Sequence, residues 1–166
     1  MTTALRQALT RLLFVIGLVF LIGAGAAHLA QAAEWSATDP PINETHLFNG
    51  EINKRGRPVG FHARPTGKDT ANARVVKIDR GPNRFGVYEA RIEIRNSFFS
   101  KWLSKRSTMF PDTLSRQMVI DAVLNAYHNR TTEGSTKFRG PSGLGFTIEG
   151  YLLPDGRINT AYPIFQ

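Results

Sequence analysis

The chain reads as an α+β protein, antiparallel β-sheets with one packed central helix, and three observations predict that class. Phe85 to Arg95 alternates apolar Tyr88, Ala90, Ile92 and Ile94 with Glu89, Arg91 and Glu93, the period of two that gives a strand one buried face. Asp112 to Arg130 places Leu114, Met118, Val119, Ala122, Val123, Ala126 and Tyr127 on one apolar helical stripe, behind Pro111 and with Asp112 or Thr113 as cap. The C-terminal residues form two strand-like runs, Phe146 to Leu153 and Arg157 to Ile164, about Pro154-Asp155-Gly156. Proline fixes φ in that turn and glycine accepts a positive one.

In chain order, residues 1 to 32 contain no acidic residue. They pass from a polar start with Arg6 and Arg11 through LLFVIGLVFLI to Ala30-Gln31-Ala32. A positive region, a short apolar run and an A-x-A site predict a cleaved secretory signal peptide. An uncleaved anchor needs about 18 apolar residues, and Gly17, Gly23 and Gly25 thin the run. Either way the remaining domain is expected beyond the cytoplasmic membrane, secreted or periplasmic, with no membrane contact once the signal is cut. Residues 33 to 43, with Asp39-Pro40-Pro41, read as an extended linker, because paired prolines prevent regular structure. The domain is expected over 44 to 166.

Within it, Thr45 to Gly50 begins a short helix or turn, Val59 to His62 a short strand, and Arg74 to Asp79 a full one. Asn96 to Phe110 interleaves aromatics with Lys101, Lys105 and Arg106, either to hold phosphates and bases or as an apolar stripe with snorkelling cations. His128, in the last turn of the helix, reads as a surface residue. Residues 131 to 145 carry Gly134, Gly140, Gly143 and Gly145 and read as a flexible loop whose Lys137 and Arg139 reach toward a polyanion.

Charge narrows the partner. The net charge is +8, and without Arg6 and Arg11 the rest keeps 19 basic against 13 acidic residues, which suits RNA, DNA, anionic lipid or acidic glycan. Zero cysteines exclude disulfides, thiol nucleophiles and thiolate metal sites.

The stretch HLFNGEINKRGRPVGFH puts His46 and His62 at the two ends of a glycine-rich loop with Lys54, Arg55 and Arg57 between. An imidazole titrates near neutral pH, so one neutral and one protonated histidine can act together as base and acid, as phosphodiester cleavage requires. Neighbouring cations offset charge on the phosphorus oxygens. Spacing alone leaves surface or packing histidines as the bland alternative. In the terminal hairpin Ile158, Thr160 and Tyr162 are expected on one face.

His46 with LFNGEIN, GFH ending in His62, GVYEARIEI, STMFPD, FRGPSGLGF and IEGYLLPDGRINTAYPIF, in that order and spanning about residues 44 to 166, resemble the bacterial EndoU-type endoribonucleases. The resemblance implies cleavage of single-stranded RNA, often beside uridine, leaving a 2',3'-cyclic phosphate and a 5'-hydroxyl. It implies no required cofactor and no bound metal, with stimulation by manganese as an option. By it His62 is the base and His46 the acid, or the reverse. By the same resemblance Thr160 and Tyr162 hold the phosphate or the base and ribose, with Tyr162 stacking or hydrogen-bonding, while Arg57, Lys137 and Arg139 are read as substrate contacts from their charge in glycine-rich loops. Many members add a catalytic lysine, for which Lys105 is the candidate with Arg106 and Lys101 behind it. The RNA partner and an inhibitor or immunity protein complete this expectation. The alternative is a basic exported polyanion-binding module with the same fold and no catalysis. A zinc hydrolase lacks an HExxH motif or a further histidine cluster.

Overall fold

The computed structural model describes residues 33–96, 99–133 and 136–166. The expected signal peptide lies outside the described residues. Among those described, no helix is long and apolar enough to cross a membrane.

Three antiparallel sheets and one long helix make the domain. A π-helical turn, Thr45–Asn49, leads into the hairpin β1 (Glu51–Ile52) and β2 (Pro58–Val59). Strands β3 (Ala73–Arg80), β4 (Tyr88–Asn96) and β5 (Lys101–Met109) form a sheet in that order. The helix α1 (Arg116–His128) follows, and then β6 (Thr132–Glu133), β7 (Lys137–Pro141), β8 (Thr147–Leu152) and β9 (Ile158–Pro163) form the second large sheet, also in chain order.

Two apolar clusters hold these layers. Val119, Val123 and Ala126 of α1 pack on Phe138, Ile148, Ile158 and Ala161 of the four-stranded sheet. Each fully buried Val, Ile or Phe side chain here stabilises the fold by about 1.5–3 kcal/mol. The inner face of the three-stranded sheet buries Tyr88, Ala90, Ile92, Ile94 and Met109 against Phe61. Strand β9 packs against both the π turn and β5. Strand β9 is therefore placed beside both the histidine loop and the edge of the three-stranded sheet.

The α+β class, the helix and the terminal hairpin agree with the sequence reading, and several details differ. The cap of α1 is Ser115, whose hydroxyl accepts from the Met118 amide, so the helix starts later than Asp112 or Thr113. Met118 then turns to solvent, 44% exposed, instead of joining the buried stripe. The stretch from 131 to 145 is not one loop. Its Lys137–Pro141 segment is a central strand paired with β8, because Phe138 fills the core and Gly140 lies so close to the Ala126 carbonyl that no side chain fits. Residues 33 to 43, read as a linker, are folded onto the domain. Ser36 and Ile42 exchange hydrogen bonds, Ile42 is buried, and the Ile158 amide donates to Pro41. In β9 a register shift lies between the Tyr151–Thr160 and Leu152–Ile158 pairs, which puts Ile158 with Ala161 in the core and leaves Thr160 and Tyr162 on the other face.

Candidate active site

Two short backbone segments bring the histidines together. The Phe61 amide donates to the His46 carbonyl at 2.8 Å and the His62 amide to the Leu47 carbonyl at 2.9 Å. That approach depends on Gly60, with φ of 75°, where a Cβ would overlap the His46 carbonyl oxygen. Phe61 follows with φ of 56°, a left-handed conformation unusual for a bulky residue, held because its ring is fully buried under Ile92 and Ile94. The His46 and His62 rings lie 6.3 Å apart, inclined by 26°, and each residue is over nine-tenths buried.

Each ring is held through Nδ1. His46 Nδ1 lies 2.9 Å from Glu51 Oε1, and a carboxylate only accepts, so this nitrogen carries the hydrogen. The same bond holds the Glu51 carboxyl below its usual range. His62 Nδ1 lies 3.1 Å from the Thr108 carbonyl and 3.0 Å from Ser107 Oγ, whose hydroxyl donates to the Phe61 carbonyl. Its hydrogen is therefore also on Nδ1. Both Nε2 atoms make no hydrogen bond among the described residues and are free to exchange protons. Burial first, and then the nearby Lys105 and His46 charges, push His62 well below the ordinary imidazole value, so it is neutral at pH 7.

Lys105 Nζ donates to the Gly60 carbonyl at 2.7 Å, and burial lowers its pKa to about 8. Its neighbour Arg106 points to the opposite face of β5, where Nε lies 3.8 Å from Asp79, and Lys101 is exposed at the strand's start. Of the three sequence candidates for a cation, Lys105 alone touches the histidine loop.

From β9, the Tyr162 ring lies 5.3 Å from His62. Thr160, two residues before it, has a buried Oγ with no hydrogen-bond partner among the described residues. Burial, and then the hydrogen bond to Glu149, raise the Tyr162 pKa. That bond is 2.6 Å long, and Glu149, 5% exposed, also accepts from Arg139 at 2.6 Å and Lys137 at 2.9 Å. Burial opposes ionisation of Glu149, but the hydrogen bonds from Tyr162, Arg139 and Lys137 outweigh it and hold the pKa at about 2. Lys137 and Arg139 are thus tethered to Glu149 on a strand. Arg57 is exposed in the β1–β2 turn, its amide bonded to Asn53. His128 is exposed at the end of α1.

Sequence reading did not single out Glu51, Ser107 or Glu149. Glu51 stands only five residues from His46, but Ser107 and Glu149 meet their partners across separate strands, and no local spacing signals them. Among the described residues no group of three or more His, Cys, Asp or Glu is placed to hold a metal ion.

Two imidazoles with free Nε2 atoms, a half-buried lysine bonded to the histidine loop and a tyrosine ring beside His62, with an unpaired threonine hydroxyl two residues before that tyrosine, make an arrangement suited to acid–base chemistry on an anionic ester. The family model described as "Bacterial EndoU nuclease" matches residues 42–165, and the chain belongs to that family. It is similar to a protein named "Toxin" from Bacillus cereus, 32% identical over 123 residues, which are 74% of this chain and 22% of that relative. The chain thus spans about a fifth of the length of the curated relative it matches. No solved structure matches the chain.

Proposed function

We propose that the protein is an exported endoribonuclease that cuts single-stranded RNA, preferentially at uridines, by two-histidine transesterification. One observation carries this reading: two buried imidazoles 6.3 Å apart, each anchored through Nδ1 with Nε2 free. His62, neutral at pH 7, takes the proton of the ribose 2'-hydroxyl through Nε2. The resulting oxygen attacks phosphorus. His46, backed by the Glu51 carboxylate, gives a proton to the departing 5'-oxygen. The products are a 2',3'-cyclic phosphate and a 5'-hydroxyl. Lys105 and the Thr160 hydroxyl offset the charge that builds on the non-bridging oxygens, while Tyr162 packs against base or ribose. No metal is required in this scheme.

The apolar N-terminal run supports export to the periplasm or medium, and the toxin relative supports action against other cells with a neutralising immunity protein as partner.

The test is cleavage of a short RNA bearing one uridine, with EDTA present, beside His62→Ala and an all-deoxy control. The expected result is a cyclic phosphate product that both controls lack. RNA that is bound and stays intact, with EDTA or with manganese, overturns the proposal in favour of a binding module.

A further inference from the structure

The three-stranded sheet has a second face, turned away from the histidines, and it carries more positive charge than its ion pairs use. On β5, Lys105 and Ser107 point inward to Gly60 and Phe61, so Ser104, Arg106 and Thr108 point outward. On β4, Tyr88, Ala90, Ile92 and Ile94 are buried, so Glu89, Arg91, Glu93 and Arg95 point outward. The register sets Lys77, Arg91 and Arg106 directly opposite one another across all three strands, every one exposed. Asp79 lies near Lys77 and Arg106, but Arg91 between them has no carboxylate partner among the described residues, and like charges directly opposite in a sheet are destabilising, so ion pairing within the fold does not account for Arg91.

The carboxylates on this face are already engaged. Glu93 accepts from Arg74 at 2.6 Å, Glu89 from Arg80 at 3.2 Å, and Asp79 lies 3.6 Å from Lys77 and 3.8 Å from Arg106. Arg91 and Arg95 form no ion pair among the described residues. Beside the row is a hollow of about 310 Å³ lined by Asp79, Arg80, Glu89, Arg106 and Thr108. Adjacent strands set the three backbones about 5 Å apart, so Lys77, Arg91 and Arg106 form a row of exposed cations beside that hollow.

We propose that this face is a second contact surface for the RNA, gripping phosphates outside the nucleotides being cut. It rests on the endoribonuclease reading for the identity of the polyanion. Lys105 and Arg106 are consecutive residues on edge strand β5 with opposite orientations, so an RNA strand leaving the histidines crosses one strand's width to reach the row of cations. A flexible single strand follows such a path and a rigid duplex does not.

The test compares the full protein with the double variant Lys77→Ala/Arg91→Ala, two exposed residues on the face turned away from the histidines. Binding of a long, uncleavable 2'-O-methyl oligonucleotide is measured by fluorescence anisotropy across a salt series, and cleavage of a long RNA and of a dinucleotide is measured in parallel. Expected are about tenfold weaker binding of the long oligonucleotide, a shallower salt slope by roughly 1.4 for two lost phosphate contacts, a raised KM on long RNA, and unchanged dinucleotide cleavage. Thermal unfolding of the variant stays close to that of the wild type, since both side chains are exposed and the lost Lys77–Asp79 pair is a weak surface one. Equal loss on long and short substrates, or unchanged binding with unchanged salt slope, overturns the proposal and leaves the face to a protein partner. If the wild-type protein binds the long oligonucleotide but cuts neither RNA, the endoribonuclease reading fails while the binding comparison still decides this one.

Discussion

Replacing Glu149 by glutamine tests whether this buried carboxylate anchors the Tyr162 side of the site. The glutamine amide keeps the shape and one acceptor for the Tyr162 hydroxyl, but its NH2 group faces Lys137 and Arg139, which have nothing to donate to. The shift of Glu149 from 4.5 to about 2 corresponds to about 3 kcal/mol. Its two cationic partners are 43% and 49% exposed and recover water when the charge is lost, which reduces the expected cost to about 2 kcal/mol. For a domain of this size that is a fall in Tm of roughly 5–10 °C at pH 7. The pH dependence fixes the sign. A carboxyl whose folded pKa is depressed stabilises the fold above its unfolded value and loses that contribution as pH falls through the folded one. The wild type should therefore lose about 2 kcal/mol between pH ~4.5 and ~2 from this group, while Glu149→Gln loses nothing there, and the two stability curves should converge. The assay is urea unfolding at a series of pH values, followed by tryptophan fluorescence. Equal stability at pH 7, or curves that run parallel to low pH, would show that the Glu149 cluster contributes nothing as a charged unit.

Three further outcomes follow from the same geometry. His46→Ala and His62→Ala should each lower kcat about 10²- to 10⁴-fold with unfolding transitions retained, and a variant with wild-type turnover removes that histidine from the chemistry. The acid limb of kcat/KM should lie below the ordinary histidine value, because His62 acts neutral and its pKa is depressed. Lys105→Met should move that limb to higher pH by removing a nearby cation, and a limb that stays in place shows that Lys105 does not act on His62. Gly60→Ala should cost roughly 3–5 kcal/mol and most of the activity, since a Cβ there meets the His46 carbonyl at a positive φ, and near-native melting and turnover would refute the close approach.

The sequence by itself determined the elements whose signal is local. Period-two alternation placed β4, the apolar stripe placed α1, and the Pro154-Asp155-Gly156 turn placed the β8–β9 hairpin, because each depends on contacts within a few residues along the chain. It also named His46 and His62, which share one loop, and Thr160 and Tyr162, which share one strand. Tertiary structure decided what depends on distant partners. Residues 137 to 141 look like loop until Phe138 finds the core and β8 pairs with it, and residues 33 to 43 look like linker until Ile42 is buried beside Ile158. Periodicity alone put Ile158 on the face of Thr160, and the register shift in β9 separated them. The family resemblance put Lys105 before Arg106 and Lys101, but its contact with the histidine loop was not visible in that run of basic residues. It follows from which face of β5 meets the Gly60 carbonyl, and that face is set only when the sheet closes over the histidine loop.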